Sequence, residues 1–513
     1  MGREYDDMSG FLISHVKLYD GTGAPGKTAD VAVTNGLIAG ISPGGTVFHS
    51  GLKRIDGDGL CLAPGFIDVH GHSDSDILEL PGADNKISQG ITTEIAGNCG
   101  FSDFLERNDG GFESYAKEVD AARPAINLAC MVGHNTLRSL VMGEAARPAY
   151  PHEAEKMRLM AAEALSRGAA GLSSGLWYSP GIFADQEEVC SLASVLRGTG
   201  KIYATHLRSE GDTLIESIRE ACAIARSGSG LLQISHFKTW GSANWGKIGR
   251  ALEILEEERR TGLRITMDRY PYLFAGTGLR MCLPAPWSAM TPERIHSLLQ
   301  SEEERKRLFD ELKKSGPSGC SWDRIILAGT DVPAHEKYLG KTIHQSALQE
   351  ELVPAELCIL LLTNELNPFA MSGLLCEENL KTILKQNQVM PGSDAGLASF
   401  QVRSGHPRKF GTMARFFRMT ADLFSPEEAV RRMTSLAADV FHLKGRGRIE
   451  PGYMADLVLF DERRFQAPED YADPVRPAPG IEAVWVSGEL AWTPRDGSVG
   501  RTGRFLRIPN RKE

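Results

Sequence analysis

The sequence predicts an α/β fold: a (β/α)8 barrel of the TIM-like kind, a small β-sandwich domain built from both termini, and an inserted subdomain. Three observations predict it. Between residues 63 and 445, short apolar strands alternate with amphipathic helices. Both ends of the chain are instead β-rich and punctuated by turns. Histidines, a cysteine and an aspartate fall where the central strands end, the rim at which such a barrel carries its chemistry.

The elements follow in order. Residues 11–18 read as a strand, and residues 29–34 as a second one ending at Asn35-Gly36, a hairpin turn signal, with residues 37–41 returning. Residues 447–460 and 481–490 repeat that style, so residues 1–62 and 446–513 are assigned to one sandwich domain. The barrel strands are expected at 66–70, 92–96, 127–132, 171–174, 202–206, 231–236, 264–268 and 388–393. Amphipathic helices are expected at 151–167, 185–197, 212–226 and 246–260. The spacing before the last strand is too long for one β-α unit. An insertion at about 279–350, with a charged helix near 302–313, accounts for it and could form a lid or a pocket wall.

Composition limits the partners. The chain has 513 residues, 42% hydrophobic and 24% charged, and a net charge of -9. That acidity argues against nucleic acid and against an anionic membrane surface, both of which select a basic face. The longest apolar run, 355–363, is too short to span a bilayer. The first seven residues are acidic and lack the apolar core of a signal peptide, and Met1-Gly2 is read as an ordinary start rather than a myristoylation site. Nine cysteines without a CxxC pair fit reduced thiols, hence a cytoplasmic protein. Oligomeric state stays open.

The run from Pro64 to Asp74 reads PGFIDVHGHSD. Side chains alternate along a strand, so His70 and His72 share a face, as a metal requires of two nitrogen donors. Strand two runs into Cys99, strand five ends in His206, strand six in His236 and strand eight in Asp394. Taken singly, a histidine closing an apolar strand is more often a hydrogen-bonded core residue than a ligand. Cys99 alone is as readily packing as ligation. Their arrival at one rim favours metal binding. Thiolate and imidazole suit a borderline-soft ion such as Zn2+, which lowers the pKa of bound water to roughly 7. A neighbouring carboxylate, Asp394, can take a proton from water and pass it to a leaving nitrogen. Those parts make up metal-assisted amide hydrolysis.

These residues resemble the amidohydrolase superfamily, whose opening pattern the run 64–74 matches. GITTEIAGNCGFS (90–102), GLSSGLWYSPG (171–181), THLRSE (205–210), SHFK (235–238) and DRYPY (268–272) narrow the resemblance to the N-acyl-D-amino-acid deacylases, the D-aminoacylases. It covers essentially the whole chain, through RIEPGYMADLVLF (448–460). The resemblance implies hydrolysis of N-acyl-D-amino acids to a carboxylate and a free D-amino acid. It implies one tight zinc on Cys99, His206 and His236, and a weaker second site near His70 and His72. Asp394 would be the general base and acid. Arg408, within His406-Pro-Arg, would hold the substrate's α-carboxylate, and Lys238 and Tyr270 match substrate-contacting positions.

The chain departs from the family pattern on the substrate side. Residues 395–405, AGLASFQVRSG, run longer than usual and lack histidines. Residues 273–277, LFAGT, stand where the family often has a serine. Two other readings compete: an amidohydrolase acting on a cyclic amide, a hydantoin-like compound or a D-amino-acid-terminated peptide, and a non-catalytic homologue that binds partners. The second would require damaged ligand positions, and none is damaged.

Overall fold

A computed structural model describes residues 10–44, 51–107, 111–143, 145–467 and 470–510. The Met1-Gly2 start lies outside the described residues. The fold is α/β.

Eight central strands are designated β1 Phe66–Asp68, β2 Ile91–Ala96, β3 Asn127–Cys130, β4 Gly171–Gly175, β5 Ile202–His206, β6 Leu231–Ile234, β7 Arg264–Arg269 and β8 Val389–Pro391. Strands β1, β2 and β3 pair in parallel. After Met131 the chain continues as Val132–Gly133, which pairs in parallel with β4, and β4 through β8 follow as neighbours. Met131 keeps the two sheets in step, its amide donating to Ala96 O at 2.9 Å. Past their ends, β1 and β8 meet: Gly71 and Ala395 form a parallel bridge, and Asp394 N donates to His70 O at 2.7 Å.

The strands are short and, apart from Arg264 and Thr266 in β7, buried, with isoleucine, leucine and valine packed against the helices that alternate with them. This near-continuous burial is expected of parallel strands covered on both faces. The helix Pro151–Arg167 shows how the sequence sets its own limits. Proline occupies its first position, Glu153 folds back onto the Tyr150 amide at 2.7 Å, and Gly168 closes it at φ 117°.

Strands from both termini form one nine-stranded sheet. The two contributions join where Cys61–Pro64 pairs antiparallel with Leu457–Phe460. Ile13, Val16, Val31, Leu457, Leu459 and Trp485 build its core. Asn35 and Gly36 both have positive φ, 52° and 75°, as a two-residue hairpin of the mirror-image type requires.

The inserted elements extend further than 279–350. Ala275–Gly278, Ile325–Gly329 and Phe369–Ser372 make a three-stranded antiparallel sheet, with helices packed on it around Trp287, Leu308 and Leu361. Its first strand reads AGTG, which carries no alternating apolar signal.

Candidate metal centre and substrate pocket

The polar rim forms where the parallel strands end. Cys99, His236 and Asp394 each take a left-handed backbone conformation, at φ 53°, 36° and 50°. A non-glycine residue held so costs about 1–3 kcal/mol and persists only where the surroundings enforce it. Gly71 separates His70 from His72 because a side chain there would meet the Glu94 carboxylate at 2.0 Å.

Two groups of ligand atoms result, each within 4.8 Å: Cys99 with His206 and His236, and Cys99 with His70, His72 and Asp394. Cys99 belongs to both. Its Sγ lies 3.4 Å from His70 Nε2 and 3.6 Å from His236 Nε2. Tetrahedral zinc with sulfur at about 2.3 Å and nitrogen at about 2.0–2.1 Å separates two such ligands by about 3.5 Å. His206 Nδ1 stands 2.8 Å from His236 Nε2, and Asp394 Oδ1 stands 3.2 Å from His72 Nε2 and 3.5 Å from His70 Nε2. This donor set fits zinc. The thiol agrees: burial pushes it up, but His70, His206 and His236 outweigh burial and hold Cys99 well below its ordinary range, as the thiolate a metal binds.

Behind these atoms lies a second layer of buried carboxylates. Asp268 accepts from His70 Nδ1 at 3.0 Å and from the His236 amide at 2.7 Å. Glu210 Oε1 lies 3.0 Å from His236 Nδ1 and accepts from Lys238 Nζ at 2.6 Å. Burial would raise the Glu210 carboxyl, but Lys238, His206 and His236 bring it down to about 2. Lys86 Nζ, fully buried, contacts Asp68 at 2.7 Å and Glu94 and Ala395 O at 2.8 Å. Asp68 in turn accepts from the Ser393 amide at 2.9 Å. Lys86 therefore fastens together the strand ends that carry His70, Cys99 and Asp394.

Arg408 opens the helix Arg408–Met419 and turns into the site. Its Nη1 is 2.7 Å from Asp394 Oδ2, and its Nη2 donates to Gly276 O at 3.1 Å. Burial raises the Asp394 carboxyl, yet Arg408, His236 and His72 hold it well below the usual carboxylate range. Tyr270 lies beneath the Arg408 guanidinium, 4.8 Å from ring centre to carbon. A cavity of about 280 Å³ opens onto His72, Cys99, Asp394 and Arg408, with Phe101 and Tyr178 also in its lining. His206, His236, Lys238 and Tyr270 line its inner continuation.

All nine residues singled out from the sequence thus border one site: His70, His72, Cys99, His206, Lys238, His236, Tyr270, Asp394 and Arg408. Sequence reasoning missed Glu210, Asp268, Asp68, Glu94 and Lys86. A carboxylate at a strand end was the available signal for Asp268, and a carboxylate four residues after His206 for Glu210. Nothing local marks Lys86.

Comparison with known proteins narrows the identity. Residues 53–201 and 362–491 match the Amidohydrolase family. A D-aminoacylase of Alcaligenes xylosoxydans xylosoxydans is 33% identical over 519 residues, 96% of this chain and 97% of that protein. The crystal structure of N-acyl-D-glutamate deacylase from Bordetella bronchiseptica, complexed with zinc and a phosphonate mimic of the tetrahedral intermediate, superposes with a TM-score of 0.80. It is 30% identical and covers 97% of this chain and 99% of its own. A D-aminoacylase structure, described by one-metal activation and second-metal attenuation of a binuclear centre, gives 0.78 at 30% identity, with 98% and 99% covered. With the family matched over more than half its length and a relative aligned nearly end to end, this chain belongs to the amidohydrolase family.

Proposed function

We propose that this protein hydrolyses the amide bond of N-acyl-D-amino acids, releasing a carboxylate and a free D-amino acid. The observation that carries the reading is the convergence of Cys99, His206 and His236 with Asp394 and Arg408 at one rim. The relatives' activities support it. The eight parallel strands are read as a closed (β/α)8 barrel over residues 63–445, a reading the Gly71–Ala395 bridge supports. The terminal segments 1–62 and 446–513 are read as the β-sandwich domain.

Cys99, His206 and His236 would hold a tight zinc, and His70, His72 and the Cys99 thiolate a weaker second one. The metal would supply a Lewis acid for the scissile carbonyl and acidify water. Asp394 stands where it takes the proton from the attacking water and later gives it to the departing nitrogen. Its low pKa keeps it ionised as a base at neutral pH. Arg408 anchors the substrate's α-carboxylate through its planar fork. In doing so it exchanges one carboxylate, Asp394, for another. Lys238 and Tyr270 complete that anchor. With the carboxylate and the scissile carbonyl both fixed, the side-chain pocket accepts one hand of the α-carbon.

No helix among the described residues is long and apolar enough to cross a membrane. Nine unpaired thiols support a reducing compartment, the cytoplasm.

The test is zinc content together with rates on N-acetyl-D- and N-acetyl-L-amino acids, with hydantoins as a third arm. Turnover of the D series alone, in a zinc-containing protein, is expected. Equal rates on both hands, activity confined to hydantoins, or a metal-free active protein would refute the reading.

A further inference from the structure

We infer that Glu210 is a positioning residue that fixes the His236 imidazole of the tight metal site and the lysine of the substrate anchor as one unit. The inference rests on the metal and substrate assignments proposed above. Glu210 lies four residues beyond His206 and is almost fully buried. Its carboxylate stands behind the two rings, on the side away from Cys99. His236 directs Nε2 at the Cys99 sulfur, 3.6 Å away, and Nδ1 at Glu210 Oε1, 3.0 Å away. His206 directs Nδ1 into the ligand cluster. Its Nε2 lies 3.8 Å from Glu210 Oε2, and both atoms are buried without a hydrogen-bond partner among the described residues.

An imidazole binds a metal through one nitrogen only if its other nitrogen keeps a proton, and that proton needs an acceptor. Asp268 serves His70 in this way. For His236 the acceptor is Glu210. Lys238 Nζ sits 2.8 Å from the same ring nitrogen and 2.6 Å from the same carboxylate oxygen. Two donors this close require a common acceptor, and Glu210 Oε1 is placed to be it. The lysine also neutralises a carboxylate that would otherwise be buried alone at high cost. Glu210 therefore sets the ring orientation at the metal and the position of the ammonium that faces the substrate.

The experiment removes this charge and reads metal binding directly. Zinc-free protein and its Glu210→Gln variant are titrated with Zn2+ against a chromophoric chelator, and their cobalt forms are compared by visible absorption. Weakening of zinc affinity by about 10- to 100-fold is expected, with a shifted cobalt spectrum and little change in the melting temperature of the zinc-free proteins. Equal zinc affinity and identical cobalt spectra would overturn the inference, even if the variant melts lower, because a purely structural role moves only the melting temperature. Absence of zinc binding in both proteins overturns it along with the metal assignment. Weakened zinc binding in a protein that hydrolyses no N-acyl-D-amino acid supports the inference and rejects the proposed activity instead. Should Glu210→Gln fail to fold, Glu210→Asp keeps the charge, withdraws it by one methylene and is read by the same titration.

Discussion

At the C-terminal ends of the central strands, three buried cations each face a carboxylate: Lys86 with Asp68 and Glu94, Lys238 with Glu210, and Arg408 with Asp394. Just before β5, Lys201 is also shielded from solvent, but among the described residues its ammonium bonds only the Leu165 carbonyl, 2.6 Å away. Burial pulls Lys201 down to about 8, whereas at Lys86 burial is outweighed by Asp68 and Glu94, and the pKa rises. A buried charge costs several kcal/mol unless paired and hydrogen-bonded. In these three pairs a carboxylate offsets that cost. At Lys201 no carboxylate among the described residues does so. Three of the ten left-handed non-glycine residues among those described, Cys99, His236 and Asp394, fall in the candidate site.

The largest expected effect tests whether these pairs serve chemistry or only folding. Asp394→Asn keeps the shape and removes the proposed base, so kcat should fall by about 10²–10⁴-fold while zinc should stay on the proposed ligands Cys99, His206 and His236. Loss of zinc with activity would mean that the two ligand groups are not separable. The next effect divides those groups. His206 is buried, while the His72 side chain is 31% exposed and its Nε2 lies 3.2 Å from Asp394 Oδ1. His206→Ala should abolish tight zinc uptake, whereas His72→Ala should retain one equivalent by metal analysis. Equal losses would erase the distinction between a tight and a weak site.

Much of this was legible in the sequence where one residue carries the signal by itself or by short spacing. The His70-Gly-His72 pair, His206 closing β5, and Cys99 in its Gly-Asn-Cys-Gly turn stand in short local motifs. Strand alternation does not itself set them, because β1 ends at Asp68 before the pair and His236 lies two residues beyond β6. The strand starts were readable to within one residue because each is a short apolar run, whereas β1, β3, β6 and β8 end two residues earlier than expected. What stayed hidden depends on distant partners. His70 meets Asp268 across 198 residues, and no local pattern states that pairing. Lys86 sits in the four-residue helix Asp84–Ile87, whose DNKI sequence reads as a solvated turn. It becomes a buried clamp only because β1 and β8 come together around it. The small sheet of the insertion was likewise obscure, because AGTG becomes a strand through its partner Phe369–Ser372 and not through its own composition.

Arg408 tests the pairing on the substrate side. Lysine at that position keeps the charge but loses the planar fork that spans Asp394 and Gly276 O. Arg408→Lys should raise KM and lower kcat/KM by about tenfold, about 1.4 kcal/mol of transition-state binding. A change confined to kcat would mean that Arg408 acts on the base rather than on the substrate.

The smallest effect lies at the opposite end and has the opposite sign. Lys201 binds its proton less tightly in the folded protein, about 8, than in the unfolded chain, 10.5. Between those values the unfolded state holds more protons, so stability should rise with pH across that interval and be lowest below it. Lys201→Met removes a charge that has no carboxylate partner among the described residues. The Leu165 carbonyl it leaves behind still accepts from the Gly168 amide at 3.2 Å. The variant should therefore melt higher than the unaltered chain at neutral pH, converge with it as pH approaches 10.5, and keep the same zinc content and turnover. A lower melting temperature at neutral pH would mean that the single carbonyl bond outweighs desolvation, and the contrast between the paired cations and Lys201 would fail on its own terms.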